Sequence, residues 1–322
     1  MKPFSHIIQR KHFQSQRVLL FWLICALTIF FTAQAWSATS GCLVVDKARR
    51  ELVAFREAKP VATYPVSFGI DPVSDKRRTF DCATPEGLYF VSYKKAVTRF
   101  HRTLGISYPN LADAEKALAV GVISIPEFKK IRAAARKSRP GPCNTGLGCG
   151  IAIHGGGVFR QFGDNRERDW TEGCVALDNP DMEKLFKSCR VGDAVIIFNS
   201  ASNLYALARP FARMATLDAE GLPFCPQEGC VYVLDLVTAL GRTLISITEG
   251  GRLGWSVRVR VTSGDGSGRE LLALSDTNAD GQISFLDSVT GPLAEGRSSE
   301  AVYEMVRQAV VDVFAGGTYR GL

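Results

Sequence analysis

The chain has 322 residues, 46% of them hydrophobic, and 39 Lys and Arg against 32 Asp and Glu give it a net charge of +7. Four of those basic residues (Lys2, Arg10, Lys11 and Arg17) and no acidic ones lie in the first 38 positions, so the chain without that segment carries only +3. So mild a balance does not suggest nucleic acid as a partner, and about 284 residues exceed what one small domain needs.

The first 38 residues read as a secretory signal. After the positive start comes VLLFWLICALTIFF, an apolar run of 14 residues from Val18 to Phe31. A membrane-spanning helix needs about 20 such residues, whereas a signal core is shorter. The small residues that follow predict cleavage after Ala35 or Ala38. The rival reading is an uncleaved N-terminal anchor. Thr39-Ser40-Gly41-Cys42 loosely resembles a lipidation site, but the usual leucine three places before the cysteine is missing. No membrane span is expected once residues 1–38 are removed.

From Leu43, LVVD and ELVAF flank the charged turn Lys47-Ala48-Arg49-Arg50 as a hairpin would, and VATYPVSFG continues the β pattern. A polar connection, DPVSDKRRTFDC, leads to ATPEGLYFVSY, where Pro85 and Gly87 turn into an aromatic strand. Residues 111–136 are helical in character. Ser124 and Glu127 have capping-box spacing, and Ile125, Phe128, Ile131 and Ala135 recur at helical intervals. RPGPCNTGLGCG is a loop, and IAIH is a short buried strand. Asn179-Pro180 opens a helix running to about Lys187, and AVIIF at 194–198 closes the core.

Composition then changes, which predicts a boundary near residue 200. Residues 200–230 are loop-rich, and LISIT and SVRVRVT read as strands. SSEAVYEMVRQAVVDVFAGG is the best helix in the chain. Ser298 or Ser299 caps it, Glu300 and Glu304 favour its positive end, and Gly316 stops it. Val302, Met305, Val306, Ala309, Val310 and Val313 form one apolar face, which reads as core packing.

Eight cysteines follow the signal: Cys42, Cys82, Cys143, Cys149, Cys174, Cys189, Cys225 and Cys230. An oxidising compartment would pair most of them. Cys143/Cys149 and Cys225/Cys230 are the natural local bridges, and Cys42, Cys82 and Cys189 compete for one more. Zinc is a weak rival, because no histidine falls at ligand spacing near these cysteines.

The chemistry concentrates in IAIHGG at 151–156 and DWTEGCVALDN at 169–179. His154 stands beside glycines, 20 positions ahead of Cys174 in a Gly-Cys turn. A thiol becomes a good nucleophile when it loses its proton, and an imidazole is the usual group that takes it. The chain has four histidines, of which His6 and His12 lie in the signal, so His101 and His154 are the candidate bases.

These segments resemble the catalytic domain of the L,D-transpeptidases, the YkuD-like fold, and more narrowly its YafK-like branch. The resemblance covers about residues 43–198. It rests on the His-Gly strand end, on Thr84-Pro85-Glu86-Gly87-Leu88-Tyr89, on Ile106-Ser107-Tyr108-Pro109-Asn110, and on Trp170-Thr171-Glu172-Gly173-Cys174-Val175-Ala176. It implies a mainly β sandwich with short helices at 39–200; the elements read beyond it make 201–322 a smaller mixed α/β domain. It also implies a periplasmic enzyme acting on peptidoglycan stem peptides, without a catalytic cofactor. Cys174 would form a thioester after the diaminopimelate. His154 would take the thiol proton, with its ring oriented by the Gly155 carbonyl, and backbone N–H groups around Gly173 and Cys174 would face the oxyanion. His101 is assigned a structural or substrate-facing role. Transfer to an amine makes a crosslink and transfer to water makes a hydrolase; hydrolases of the branch release a wall-linked lipoprotein. Glu172 and Ala176 depart from the wider family, which has histidine and arginine there.

DTNADGQISFLD at 276–287 matches a calcium loop, with Asp276, Asn278, Asp280, the Gln282 carbonyl, Ser284 and Asp287 as oxygen ligands and Gly281 at the sharp turn. Asp287 replaces the usual glutamate. Such an ion would stabilise the C-terminal region rather than take part in catalysis. The rival from another class is therefore a non-catalytic calcium- or wall-binding module.

Overall fold

The computed structural model describes residues 41–226, 229–250, 254–282, 287–319 and 321. The signal read at 1–38 and the proposed ligand Ser284 lie outside the described residues. No helix among the described residues is long and apolar enough to cross a membrane.

The first half is built on an eight-stranded sheet. Its strands are β1 (Cys42–Asp46), β2 (Glu51–Arg56), β3 (Lys59–Pro65), β4 (Gly87–Thr98), β5 (His101–Ile106), β6 (Ala152–His154), β9 (Val175–Ala176) and β10 (Ala194–Phe198). They lie side by side in the order β3-β2-β1-β10-β4-β5-β6-β9. Two neighbour pairs are parallel, β1 with β10 and β6 with β9. A separate hairpin, β7 (Phe159–Phe162) with β8 (Asn165–Arg168), stands between β6 and β9 in the chain.

The apolar runs CLVV and AVIIF form the middle of this sheet because both of its faces are covered. Successive side chains on a strand point to opposite faces. Leu43 and Val45 join one core with Tyr89, Ile153, Val175, Val195 and Ile197. Cys42 and Val44 join a second with Ile196 and Phe198, and that core continues into the C-terminal region.

The C-terminal region supplies a six-stranded antiparallel sheet of β11 (Arg213–Met214), β12 (Cys230–Thr238), β13 (Gly241–Glu249), β14 (Trp255–Thr262), β15 (Glu270–Asp276) and β16 (Ser288–Thr290). Leu234, Leu236, Val257, Val259 and Leu274 point from its inner face into the second core. Val306, Val310 and Phe314 of the terminal helix enter the same core. The two regions thus bury their apolar faces against each other, although composition alone changes near residue 200.

Helical character at 111–136 resolves into two helices, α1 (Leu111–Ala119) and α2 (Ile125–Ala135). Gly121, at φ +74°, takes the chain out of the first helix, and Ser124 starts the second with Glu127 accepting its N–H at 2.7 Å. The next helices are α3 (Asn179–Ser188) and α4 (Leu204–Ala208). α5 (Ser299–Ala315) begins as its sequence predicts, with the Ser298 hydroxyl accepting the Ala301 N–H. Cys143–Cys149 and Cys225–Cys230 are bonded. Cys82 and Cys189 are free thiols, so no third bridge joins them.

The ISYPN and TPEG segments act as scaffold. Asn110 caps α1, the Tyr89 hydroxyl donates to Glu86 O at 2.9 Å, and the Tyr108 hydroxyl donates to Leu147 O at 3.2 Å. Glu86 meets Lys47 at 2.8 Å with both side chains buried. These bonds fix β4 and β5, whose Tyr93 and Thr103 line a cleft.

Candidate active site

His154 ends β6, and Cys174 directly precedes β9. The parallel register pairs Ile153 with Val175 and His154 with Ala176, which sets Cys174 level with Ala152. Residues two apart on a strand share a face. Cys174 and His154 therefore lie on one side of adjacent strands, offset by two residues, and both line an open cleft of about 530 Å³. Tyr93, Phe100, Trp170 and Glu172 line it with them.

The imidazole is held by its surroundings. His154 is buried, and its Nδ1 donates to the Gly155 carbonyl at 2.5 Å. That bond sets the Nδ1–H tautomer and leaves the Nε2 lone pair to accept a proton. The ring stacks on Phe100 at 4.4 Å between centroids, and Trp170 stands at 5.8 Å. Burial lowers the His154 pKa below its ordinary 6.5; Arg99 and Arg160 push the same way, and the Gly155 bond opposes them. The base is neutral at neutral pH.

Gly155 has no room for a side chain. A Cβ there would fall 2.6 Å from Asn179 Oδ1 and 2.8 Å from Phe100 O. Asn179 Oδ1 instead accepts the Gly156 N–H at 2.8 Å, and the Trp170 indole donates to Gly157 O at 3.1 Å. The loop after the histidine is thereby tied to both α3 and the Trp170 segment.

Cys174 is a half-buried free thiol with Sγ 3.8 Å from the Gly150 carbonyl. Burial pushes its pKa up to about 11, with Glu172 adding to the rise and the Ala152 backbone N–H opposing it. The turn before it is closed by one hydroxyl: Thr171 Oγ1 donates to Cys174 O at 2.7 Å and accepts the Gly173 N–H at 3.1 Å. Gly173 sits at φ +121°, and a Cβ there would meet Ala83 O at 2.5 Å. The sequence reading places the Gly173 N–H toward the oxyanion, whereas the structure engages it inside the turn. The Cys143–Cys149 bridge closes the loop that ends at Gly150, so the wall opposite the thiol is stapled.

A family model of the L,D-transpeptidase catalytic domain, YkuD, matches residues 40–197. This part of the chain is a YkuD domain. Solved structures similar to the chain include an L,D-transpeptidase (residues 123–326) from Xylanimonas cellulosilytica, at 18% identity over 51% of this chain and 62% of that one, with a TM-score of 0.27. Others are an L,D-transpeptidase from Mycobacterium smegmatis (14%, 49% and 58%, TM-score 0.27) and Bd1075 of Bdellovibrio bacteriovorus (15%, 72% and 91%, TM-score 0.34). The chain thus spans less than two thirds of the first two. No curated protein matches it.

Within the YkuD domain, Glu172 is the one acidic side chain lining the cleft. Its charge disfavours the thiolate. Glu172→Gln is expected to lower the Cys174 pKa and to speed alkylation by iodoacetamide at pH 8 about two- to fivefold, measured by intact-mass spectrometry. An unchanged rate would show that Glu172 is too well solvated to act on the sulfur. His101 points elsewhere: its Nε2 pairs with Glu183 of α3 at 2.7 Å, as does Arg102 at 2.6 Å.

The described residues of the segment, 276–282 and 287, are not among those that line the YkuD cleft. Asn203 and Tyr303 approach its Gly281. Asp276 Oδ2 accepts the Gly281 N–H at 3.2 Å, Asn278 donates to Asp280 at 2.7 Å, Asp280 Oδ1 accepts the Gln282 N–H at 2.7 Å, and Asp287 Oδ1 accepts the Thr277 N–H at 2.6 Å. Among the described residues, no group of three or more His, Cys, Asp or Glu is placed to hold a metal ion. Arg99 and Arg160, absent from the sequence reading of the site, do line the cleft. The signal for Arg160 lies in FRQF, where a cation stands between Phe159 and Phe162.

Proposed function

We propose that the chain is an exported cysteine acyltransferase of the YafK-like branch that acts on peptidoglycan stem peptides. The observation that carries this reading is the placement of a free Cys174 thiol and a tautomerically fixed His154 on one face of β6 and β9 within a single cleft. His154 Nε2 takes the thiol proton as Sγ attacks the donor carbonyl carbon, and the Cys174 N–H faces the developing oxyanion. The tetrahedral intermediate collapses to a thioester, and the departing amine leaves with the proton held by His154. An incoming amine gives up a proton to the same nitrogen as it attacks the thioester; the C–S bond breaks, a new amide is left, and the Cys174 sulfur takes the proton back from His154. The two disulfides support export to an oxidising compartment.

The test is incubation of the purified protein with muropeptides, followed by mass analysis of products. A crosslinked dimer is expected. Shortened stems alone would assign the thioester to water and make the protein a hydrolase. No product, together with no covalent adduct from a carbapenem, would leave the non-catalytic wall-binding module.

A further inference from the structure

Arg160 is an exposed residue on β7, yet it is not free in solvent. Its guanidinium carbon lies 4.6 Å from the Trp170 ring centre, 5.6 Å from that of Phe100 and 5.8 Å from that of Phe162. Arg99 lies 4.6 Å from the same Phe100. Phe100 is in turn the ring on which His154 stacks. Two cations are therefore held on the aromatic wall of the cleft, beside the base. A guanidinium resting on a ring face keeps its in-plane N–H donors available, and that fork matches a carboxylate.

Arginines elsewhere in the sheet are paired: Arg50 meets Asp169, Arg56 meets Asp193 and Arg102 meets Glu183. Arg166 and Arg168 of the same hairpin as Arg160 lie over Phe159, outside the cleft lining and without a carboxylate partner among the described residues. Among the described residues, Arg99 and Arg160 have no carboxylate partner. Both reduce the basicity of His154, so left bare they work against the base; a bound anion would relieve this. Glu172, on the same cleft, repels an anion from the sulfur side and leaves the arginine side as the place for it.

We propose that Arg160 and Arg99 form a carboxylate clamp that selects peptides with a free carboxylate close to the bond being broken. The proposal rests on the stem-peptide reading for the identity of the peptide, and on geometry alone for the clamp. The clamp positions substrate and leaves the chemistry to Cys174 and His154.

Two measurements on the full chain test it. In the first, a stem peptide and the same peptide with its carboxylates amidated are compared as donors. Arg160→Gln is expected to raise KM for the acid peptide about tenfold or more, with kcat largely kept and the amidated peptide unaffected. Arg160→Lys, which keeps the charge but loses the fork, is expected to fall between them. If Arg160 only holds the hairpin on Trp170, both peptides suffer alike, and the clamp is overturned. In the second, Cys174 is alkylated by anionic iodoacetate and by neutral iodoacetamide. The rate ratio should favour iodoacetate in the native chain and drop severalfold in Arg160→Gln, in Arg99→Gln and at high salt. An unchanged ratio refutes the clamp even if a variant is inactive for other reasons. A ratio that drops while neither peptide is turned over by the native chain retains the clamp and rejects the stem-peptide reading.

Discussion

His154→Gln is expected to cut turnover about 10²- to 10⁴-fold, and Cys174→Ala to abolish both turnover and the covalent adduct. The reason lies in the protonation state of the resting pair. Burial pushes the thiol up to about 11, so at pH 7 the resting cysteine is a protonated thiol. Burial also lowers the pKa of the imidazole, so it is neutral. The resting site is thiol plus imidazole, and the proton must move as the bond to carbon forms. Two pH dependences follow. His154 must be unprotonated to act, and its pKa lies below 6.5, so activity is lost only as pH falls through that lowered value. Direct alkylation of Cys174 by iodoacetamide should instead climb about tenfold per pH unit between pH 7 and 10, because it needs the free thiolate. An alkylation rate already at its plateau near pH 6 would mean a resting thiolate–imidazolium pair and would contradict this account.

The pairing of His154 with Cys174 was legible because each residue sits at a glycine-marked strand end and the alternatives were few. What brings them together was not. β6 and β9 have three and two residues, too short for any periodicity to declare a strand, and a parallel pairing has no turn signal between partners. β5 was hidden for a similar reason: HRTLGI begins with a charged pair, and its register against β4 is irregular. In the C-terminal region, CVYVLDLVT and ELLALSD alternate well enough to read as strands, but the first follows a loop-rich stretch and the second stands beside a polar turn. The calcium-like spacing at 276–287 has a local structural reading as well. Asp280 Oδ1 accepts the Gln282 N–H as an Asx turn does, and Asp287 Oδ1 accepts the Thr277 N–H from the other end of the segment.

The division near residue 200 is where composition and packing part company. A change in loop content marks where the chain leaves one sheet, but says nothing about what the next sheet lies against. Leu234, Leu236, Val257 and Val259 alternate like any half-buried strand, and their partners on β1 and β10 are some 40 to 200 residues away. Nothing local names those partners. The burial of CLVV and AVIIF on both faces is the better clue, since a sheet centre with two apolar faces requires a second layer.

Phe314 tests whether that layer is one folding unit with the YkuD domain. It is fully buried on α5, stacks on Phe211 at 3.9 Å, and stands 5.8 Å from Phe198 and 5.4 Å from Tyr319. Phe314→Ala leaves a cavity between the two sheets and is expected to cost about 3–5 kcal/mol. The sequence supplies convenient reporters: beyond the signal there are two tryptophans, Trp170 in the cleft and Trp255 on β14. Trp255→Phe isolates the cleft signal, and Trp170→Phe isolates the C-terminal sheet. In urea, both reporters should show the same midpoint, and Phe314→Ala should lower the two together, because the same apolar surface is removed from both sides. A chain ended at residue 200 should not hold its fold, since Val44, Phe55, Ile196 and Phe198 would lose the layer that buries them. If instead the Trp170 transition stays in place while the Trp255 transition moves, the YkuD domain is stable by itself, and the shared core contributes contact without cooperativity.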